Sequence, residues 1–489
     1  SAPRAQGVWP GACRPAIHMS SILQSLRIQN PFPAGRGKED AARGLGPATG
    51  LIPEAGLVLA PRQFSHEFPM ADNGKNGNTR HVTVIGAGIV GVCCGLYLLR
   101  DGHKVTLMDA QAPGEGASFG SAGFISPGSC VPIGMPGLAS KVPGMLMDPL
   151  GPLTIRWRYL PRIAPWLLRF LAASSPKRVE EISLAMRALY QSATEDFQPL
   201  VGEAKAANLV RRDGRLEIYR GEHSLAKAQL KYDIMRRRGV TLDIVKGADL
   251  QKLEPALAPE YSVAVRIPDS SHTTDPFRLT EALAKDFQRQ GGTILREKVL
   301  GFDMRGGVPA GIIGEGARRD LDALVVAAGA YSGSLARQLG SKVPLDTERG
   351  YHMMLPEPGI ELRFPISSGD HHFAITPMDG GIRLAGTVEF AGLEAAPNYA
   401  RADKLYASAR LMFPGLQAEG AERWMGRRPS LPDSLPVISR SPVHPSVFYA
   451  FGHGHLGLTG AAVTGKLIAE LVTGKPHNID LSPYRVHRF

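Results

Sequence analysis

The sequence predicts an α/β protein in which a nucleotide-binding βαβ domain is interleaved with a second, α+β domain built on a mostly antiparallel sheet. Three observations carry that expectation. A complete strand, glycine turn, helix and strand occupies His81 to Asp109. Apolar runs suited to a doubly buried sheet recur much later, around Leu321 to Ala328 and from about Trp424 onward. Between them lie helix-like segments and alternating strands of a different, half-buried character. The chain thus leaves the nucleotide domain and returns to it twice.

In the first unit, His81 to Ile85 is a short β-branched run, and Gly86, Gly88 and Gly91 follow in G-x-G-x-x-G spacing where a helix opens. The first glycine permits the tight turn, the second lets backbone N–H groups approach a pyrophosphate, and the third allows close helix–strand packing. Ile89 and Val90 begin a helix that is apolar nearly all round as far as Leu99, as a helix buried between two layers must be. Its positive end meets the phosphate charge. Gly95 supplies a small residue one turn beyond Gly91, and Gly102 ends the helix. Val105 to Met108 then leads to Asp109, followed by Ala110. That carboxylate suits ribose hydroxyls and would repel a 2′-phosphate, which argues against NADP. FAD and NAD both fit the unit.

The chain has 489 residues, 43% of them hydrophobic, which is enough for two domains or one elaborated body. Its formal charge of +11 comes from scattered Lys and Arg rather than from a stripe, so nucleic acid is not an expected partner. A mild attraction to anionic substrates or membrane surfaces is the better reading of that charge. Cys13, Cys93, Cys94 and Cys130 cannot form a disulfide framework, since two are adjacent on the first helix. A reduced, cytoplasmic setting follows. Spacing for a metal site is absent, and no apolar run reaches the length of a membrane span. Residues 1–80 are rich in Pro, Gly, Ala and Arg and lack periodicity, so disorder is expected there. They read either as a basic targeting leader or, the preferred reading, as an extension upstream of Met70 that carries no signal.

Ala117 to Gly123 supplies small hydroxyl residues that can donate to phosphate or reach across a flavin; a plain connector is the alternative. Ile155 to Ala173 mixes Trp, Tyr and Arg with aliphatics, and its two prolines should divide it into short amphipathic pieces. It reads either as a segment at a membrane interface, peripheral to an inner membrane, or, preferred, as a cover over the protein's own pocket. Ser224 to Arg238, ended by Gly239, is helix-like, and Arg215 to Tyr219 strand-like. Asp275-Pro276 gives an N-cap and first helical residue, with Phe277, Leu279, Ala282, Leu283 and Phe287 forming a buried face and Gly291-Gly292 the stop. Lys298 to Phe302 and Leu321 to Ala328 are expected as strands of the nucleotide domain. Arg349 to Leu355 and His372 to Glu389 are expected in the second domain, with Asp379-Gly380-Gly381 as a hairpin turn. The resulting division is 81–129, 267–340 and 424–489 for the nucleotide domain, and 130–266 with 341–423 for the substrate domain.

At this point the chain resembles the FAD-dependent D-amino-acid oxidase superfamily, in particular its D-amino-acid dehydrogenase and hydroxyproline dehydrogenase-like branch. The residues that carry the resemblance are the Gly86 unit, ASFGSAGFISPG from Ala117, AAGAYS from Ala327, RGYH from Arg349, GRRPSLPDSLPVI from Gly426 and GHGHLGLTGA from Gly452. The resemblance implies a Rossmann-like FAD-binding domain and selects noncovalent FAD over NAD. It places pyrophosphate and adenosine contacts at Gly86, Gly88, Gly91, Asp109 and Ser118, and backbone contacts near Val299 and at Ala328 and Gly329. Ser121, Ala122 and Gly123 fall in the flavin loop, where relatives frequently have Asn in place of Ser121. Gly452, His453, Gly454, His455, Leu456 and Gly457 should bring N–H groups to the isoalloxazine carbonyl, with a helix starting near Leu458 and aimed at the ring edge.

Arg428 resembles the family's arginine for the substrate carboxylate, a role that suits the guanidinium fork. A salt bridge to Asp433, or an exchange of roles with Arg427, is the alternative. The stretch His371, His372, Phe373 departs from the tyrosines that oxidases of this family often use. The implied chemistry is oxidation of an amino acid, a D-amino acid or a hydroxyproline-like one, by hydride transfer from Cα to flavin N5, giving an imino acid. His352 or His372 could accept the amine proton. Electrons would pass to a quinone, another acceptor or oxygen; a sarcosine- or glycine-type oxidase and a non-catalytic electron-transfer subunit are the competing readings. The number of chains in the assembly is left open.

Overall fold

The computed structural model describes residues 79–138, 148, 150, 151 and 153–489. The disorder expected over 1–80 therefore lies outside the described residues, save for Thr79 and Arg80.

A six-stranded sheet takes the order Thr293–Arg296, Lys104–Asp109, His81–Ile85, Ala323–Val326, Val447–Phe451, Val437–Arg440, and all its pairings are parallel except the last. Ala323–Val326 and Val447–Phe451 are buried at every residue because both faces of the sheet are covered. Val82, Val84, Leu107 and Val325 face a core shared with the helices Ile89–Arg100, Pro276–Arg289 and Gly457–Thr473. Ile85, Met108, Leu324 and Val326 face the opposite core with Phe302, Ile312 and Leu335.

Small residues set the helix spacing. A Cβ at Gly465 would lie 2.6 Å from the Cys93 carbonyl, and one at Gly95 would lie 2.8 Å from the Phe287 ring and 3.1 Å from Leu107. The Pro276–Arg289 helix is capped as expected, with Asp275 accepting from the Phe277 and Arg278 N–H groups (2.9 and 3.0 Å). Leu279, Leu283 and Phe287 are buried on it, while Phe277 and Ala282 are half-buried.

The second sheet has nine strands: Glu422–Ser430, Asp346–Leu355, Gly381–Phe390, Phe373–Met378, Ile366–Ser368, Arg215–Tyr219, Val263–Ile267 and Asp243–Lys246 in order, with Leu153–Ile155 added beside Gly381–Phe390. Its pairings are antiparallel except those of Ile366–Ser368 with Arg215–Tyr219 and of Leu153–Ile155 with Gly381–Phe390. Tyr351, Met353, Leu355, Ile375 and Leu384 point to one face and pack under the helix Ala400–Met412. The other face is left for the site.

Several expectations change. Lys298 to Phe302, expected as a strand, lies in Val299–Arg305, which begins an antiparallel meander with Val308–Gly314 and Arg318–Asp320 that packs through Phe302 and Ile312 on the parallel sheet, whereas the unforeseen Thr293–Arg296 is the strand that joins that sheet. The Gly291-Gly292 stop lies so close to Thr293 that the chain re-enters the sheet at once. Trp424, expected to open the last nucleotide segment, lies in the nine-stranded sheet, and the parallel sheet is regained only at Val437–Arg440. Ser224 to Arg238 is two helices, Glu222–Ala226 and Gln229–Arg237, before Gly239 (φ 71°).

The prolines do not divide residues 155–173. Leu160–Ala173 is one helix, because Pro161 sits in the first turn, where no N–H is needed, and Pro165 forfeits a single bond. Its Ile163 and Trp166 pack on Phe390, while Trp157, Leu168 and Leu171 are 78%, 69% and 39% exposed. Cys93, Cys94 and Cys130 are buried free thiols. No helix among the described residues is long and apolar enough to cross a membrane.

Candidate active site

The glycine turn is shaped for close approach. Gly86 has φ 115°, and a Cβ there would lie 2.3 Å from the Ala327 carbonyl oxygen. A Cβ at Gly91 would lie only 1.9 Å from the Gly86 oxygen. Ala328 and Gly329, at the end of the next parallel strand, therefore border the turn. The helix that follows has no acidic residue in its first turn, so its positive end is not neutralised from within. Ser118 Oγ accepts from the Ile89 N–H at 3.0 Å. Asp109 accepts from the Ala87 N–H at 2.7 Å and the Gln111 N–H at 3.0 Å, which orients its carboxylate at the strand end beside exposed Ala110. Val299 stands at the start of the meander, half-buried.

The 117–123 loop is held by the site face of the nine-stranded sheet. Arg383 donates to the carbonyls of Phe119 (3.1 Å) and Ser121 (2.8 Å), and Thr376 donates to that of Ala122 (2.8 Å). Ser121 Oγ accepts from the Gly123 N–H (3.2 Å). His352 donates from Nδ1 to Gly120 O at 3.3 Å, and its ring stacks against Trp424 with Phe119 nearby. Burial, then the Arg383 charge, push the His352 pKa down to about 3. A neutral, enclosed ring bonded to the loop is placed to position that loop. His372 lies exposed at the turn before Phe373–Met378, with φ 57°.

Gly452 (φ 88°) and Gly454 (φ 55°) turn the GHGHLG stretch into the helix Gly457–Thr473, which includes Leu458 and has no acidic residue in its first turn. The Gly454 N–H donates to Pro429 O at 2.8 Å, docking the stretch on Glu422–Ser430. Thr459 ties it to the chain just beyond the 117–123 loop: it accepts from the Ser126 N–H (3.2 Å) and donates to Phe124 O (3.1 Å). His453 is buried and shares a hydrogen bond with Thr464 (2.9 Å); burial lowers its pKa to about 4. His455 keeps an exposed edge, yet loss of water around its ring, then the charges of Arg428 and Arg215, lower its pKa to about 4. With Leu456, these residues line one wall of a narrow cleft.

Strand alternation separates the two arginines. Arg428 stands opposite Glu348, and its guanidinium lies across Gly350, where a Cβ would be 2.1 Å from Arg428 Cζ. It donates to Thr387 O at 2.9 Å, with Gly386 O at 3.4 Å. Arg427 points to the opposite face and donates to Leu393 O at 2.8 Å. Asp433 pairs with Arg488 (2.7 Å) and leaves Arg428 to the site. Glu348, Arg383, Thr376 and Trp424 escaped the motif reading because their meeting depends on strand register. Alternation along Arg349 to Leu355 could at most have shown that His352 and Gly350 share a face.

The turn, the orienting Asp109 and two helix ends free of acidic residues fit the pyrophosphate and ribose of FAD, and a Cβ at Gly88 would come 3.3 Å from Ser118 Oγ, so the glycine keeps the approach to that hydroxyl and the helix end open. Residues 81–471 match the family model described as FAD dependent oxidoreductase, DAO. A D-amino-acid oxidase of Bradyrhizobium diazoefficiens is 40% identical over 417 residues, covering 84% of this chain and 99% of the relative. Among solved structures, L-proline dehydrogenase from P. horikoshii superposes with a TM-score of 0.65 at 18% identity, covering 84% of this chain and 98% of that one. Glycine oxidase from Bacillus cereus gives 0.62 at 19%, covering 84% and 99%. At such identities these two show the fold alone. With the glycine cradle in place and the family model spanning both sheets, the chain belongs to the DAO family of FAD-dependent oxidoreductases.

Proposed function

We propose that the protein oxidises an α-amino acid of the D-amino-acid or hydroxyproline type at Cα, leaving an imino acid that water hydrolyses. The observation that carries this reading is Arg428: a largely enclosed guanidinium on the site face, beside the GHGHLG stretch and held by Thr387 and Gly386. Such a fork holds a carboxylate in two-point geometry. The 40% identical D-amino-acid oxidase supports the substrate class. When bound, FAD supplies the acceptor for the hydride.

The chain's own residues do the rest. Arg428 fixes the carboxylate, and Gly350 lets the guanidinium lie flat enough to do so. Arg383, Thr376 and His352 hold the flavin loop, and the start of the Gly457–Thr473 helix offers N–H groups where negative charge develops. His352 acts by position, since a pKa near 3 leaves it a weak proton acceptor. Anaerobic addition of D-amino acids, hydroxyproline isomers and sarcosine to the yellow protein tests the reading. Bleaching by a carboxylate-bearing amine is expected; no bleaching by any of them would refute it.

The outer face of the Leu160–Ala173 helix supports peripheral contact with an anionic membrane surface. Exposed Trp157, Leu168 and Leu171 stand among exposed Arg158, Arg162 and Arg169, and no acid occurs from 153 to 178. Sedimentation with anionic vesicles should fall on replacing Trp157 and Leu168 by Ser; no binding by the unaltered protein would dismiss the idea.

A further inference from the structure

Glu348 is an acidic residue in an unexpected place. It stands directly opposite Arg428 in the pairing of Asp346–Leu355 with Glu422–Ser430. Facing residues of an antiparallel pair carry their Cβ atoms on one side of the sheet, about 4.5–5.5 Å apart. That side is the one on which Gly350 and His352 meet the site. Glu348 is 4% exposed and lines the narrow cleft with Ser430, Leu431, His453 and His455.

Arg428 turns one N–H of each terminal nitrogen to the Thr387 and Gly386 carbonyls, which holds it off Glu348 and leaves its other donors for a carboxylate, and the neighbouring Arg349 turns to the other face to pair with Glu389. Among the described residues, no cation therefore comes within ion-pair distance of Glu348. Burial raises its pKa, and Asp346 adds to this, while the Arg428 charge and the nearby Ser430 hydroxyl pull the other way. A carboxyl and a guanidinium withdrawn from water side by side, yet not paired with each other, each carry a desolvation cost. An α-amino acid matches both, because its amine and carboxylate are attached to the same carbon.

We propose that Glu348 is the amine-recognising residue of this site, its carboxylate accepting from the amine of an amino acid whose carboxylate pairs with Arg428. The proposal rests on the amino-acid reading above. Two-point fixation by opposite charges on adjacent strands would set which hydrogen of Cα faces the flavin, so Glu348 would contribute to the choice of stereoisomer as well as to affinity.

The test compares 2-aminoisobutyrate, which has no α-hydrogen and cannot be oxidised, with isobutyrate, which lacks the amine. Each is titrated into the flavin-loaded protein and followed by the flavin spectrum. The amine should tighten binding by about 10- to 100-fold, the range of a charge-assisted hydrogen bond. Glu348→Gln should abolish most of that ratio while leaving isobutyrate affinity and flavin content unchanged. If Glu348→Gln does not hold flavin, Glu348→Asp, which withdraws the carboxylate by one methylene, should lose most of the ratio instead. No tightening by the amine in the unaltered protein, or a ratio that survives the substitution, overturns the proposal. A protein bleached by amino acids but with an unchanged ratio removes Glu348 alone; failure to bleach removes the amino-acid reading itself.

Discussion

Truncating Arg428 to alanine removes two interactions of different size, and an assay can separate them. The first is structural: the Arg428 guanidinium donates to Thr387 O at 2.9 Å, where Thr387 takes φ 59° in a strand irregularity. Leaving that carbonyl unpaired costs about 1–3 kcal/mol of stability. The second is functional: loss of a charge-assisted pair to the substrate carboxylate in an enclosed site costs about 2–5 kcal/mol. In kinetics that is on the order of 30-fold to several thousandfold in kcat/KM. The assay is anaerobic flavin reduction by an amino acid and by the matching amine without its carboxylate. The amino acid should lose far more than the amine, with flavin content preserved. Arg428→Lys should recover only part, since a point charge cannot reproduce the fork. Arg427→Ala, which alters only a bond to Leu393 on the far face, should be nearly silent. Equal losses for both substrates, or an inactive Arg427→Ala beside an active Arg428→Ala, would refute the reasoning.

Gly91→Ala places a Cβ 1.9 Å from the Gly86 oxygen, a backbone atom that cannot yield cheaply, so the purified variant should be colourless; a yellow one would mean the turn is not the cradle. Arg383→Ala frees the carbonyls of Phe119 and Ser121, and should weaken flavin retention on gel filtration without unfolding the sheet; unchanged retention would show that the loop does not need this clamp. His352 and His453 are held at about 3 and about 4, below the roughly 6.5 of an unfolded chain. The folded state then binds fewer protons than the unfolded one, so stability is full above about pH 6.5 and falls as pH drops toward 4. Melting points measured from pH 8 to 5 should show that fall, and His453→Gln should flatten it; an unaltered slope would discount His453.

What the sequence determined by itself is whatever rests on short spacing. Gly86, Gly88, Gly91 and Asp109 belong to one unit of 29 consecutive residues, His81–Asp109, and local geometry dictates their roles whatever surrounds them. The GHGHLG stretch and its helix are legible for the same reason: two glycines at positive φ lead straight into Gly457–Thr473. Tertiary structure alone decided what depends on register. Whether Arg427 or Arg428 faces the site turns on a single step of strand alternation, and a one-residue slip would exchange them. The same applies to Glu348, which meets Arg428 only because Asp346–Leu355 pairs with Glu422–Ser430 in that register, across 79 intervening positions of sequence. Trp424 was misassigned between sheets because a strand's apolar pattern states that it will be buried, and not which neighbour will bury it.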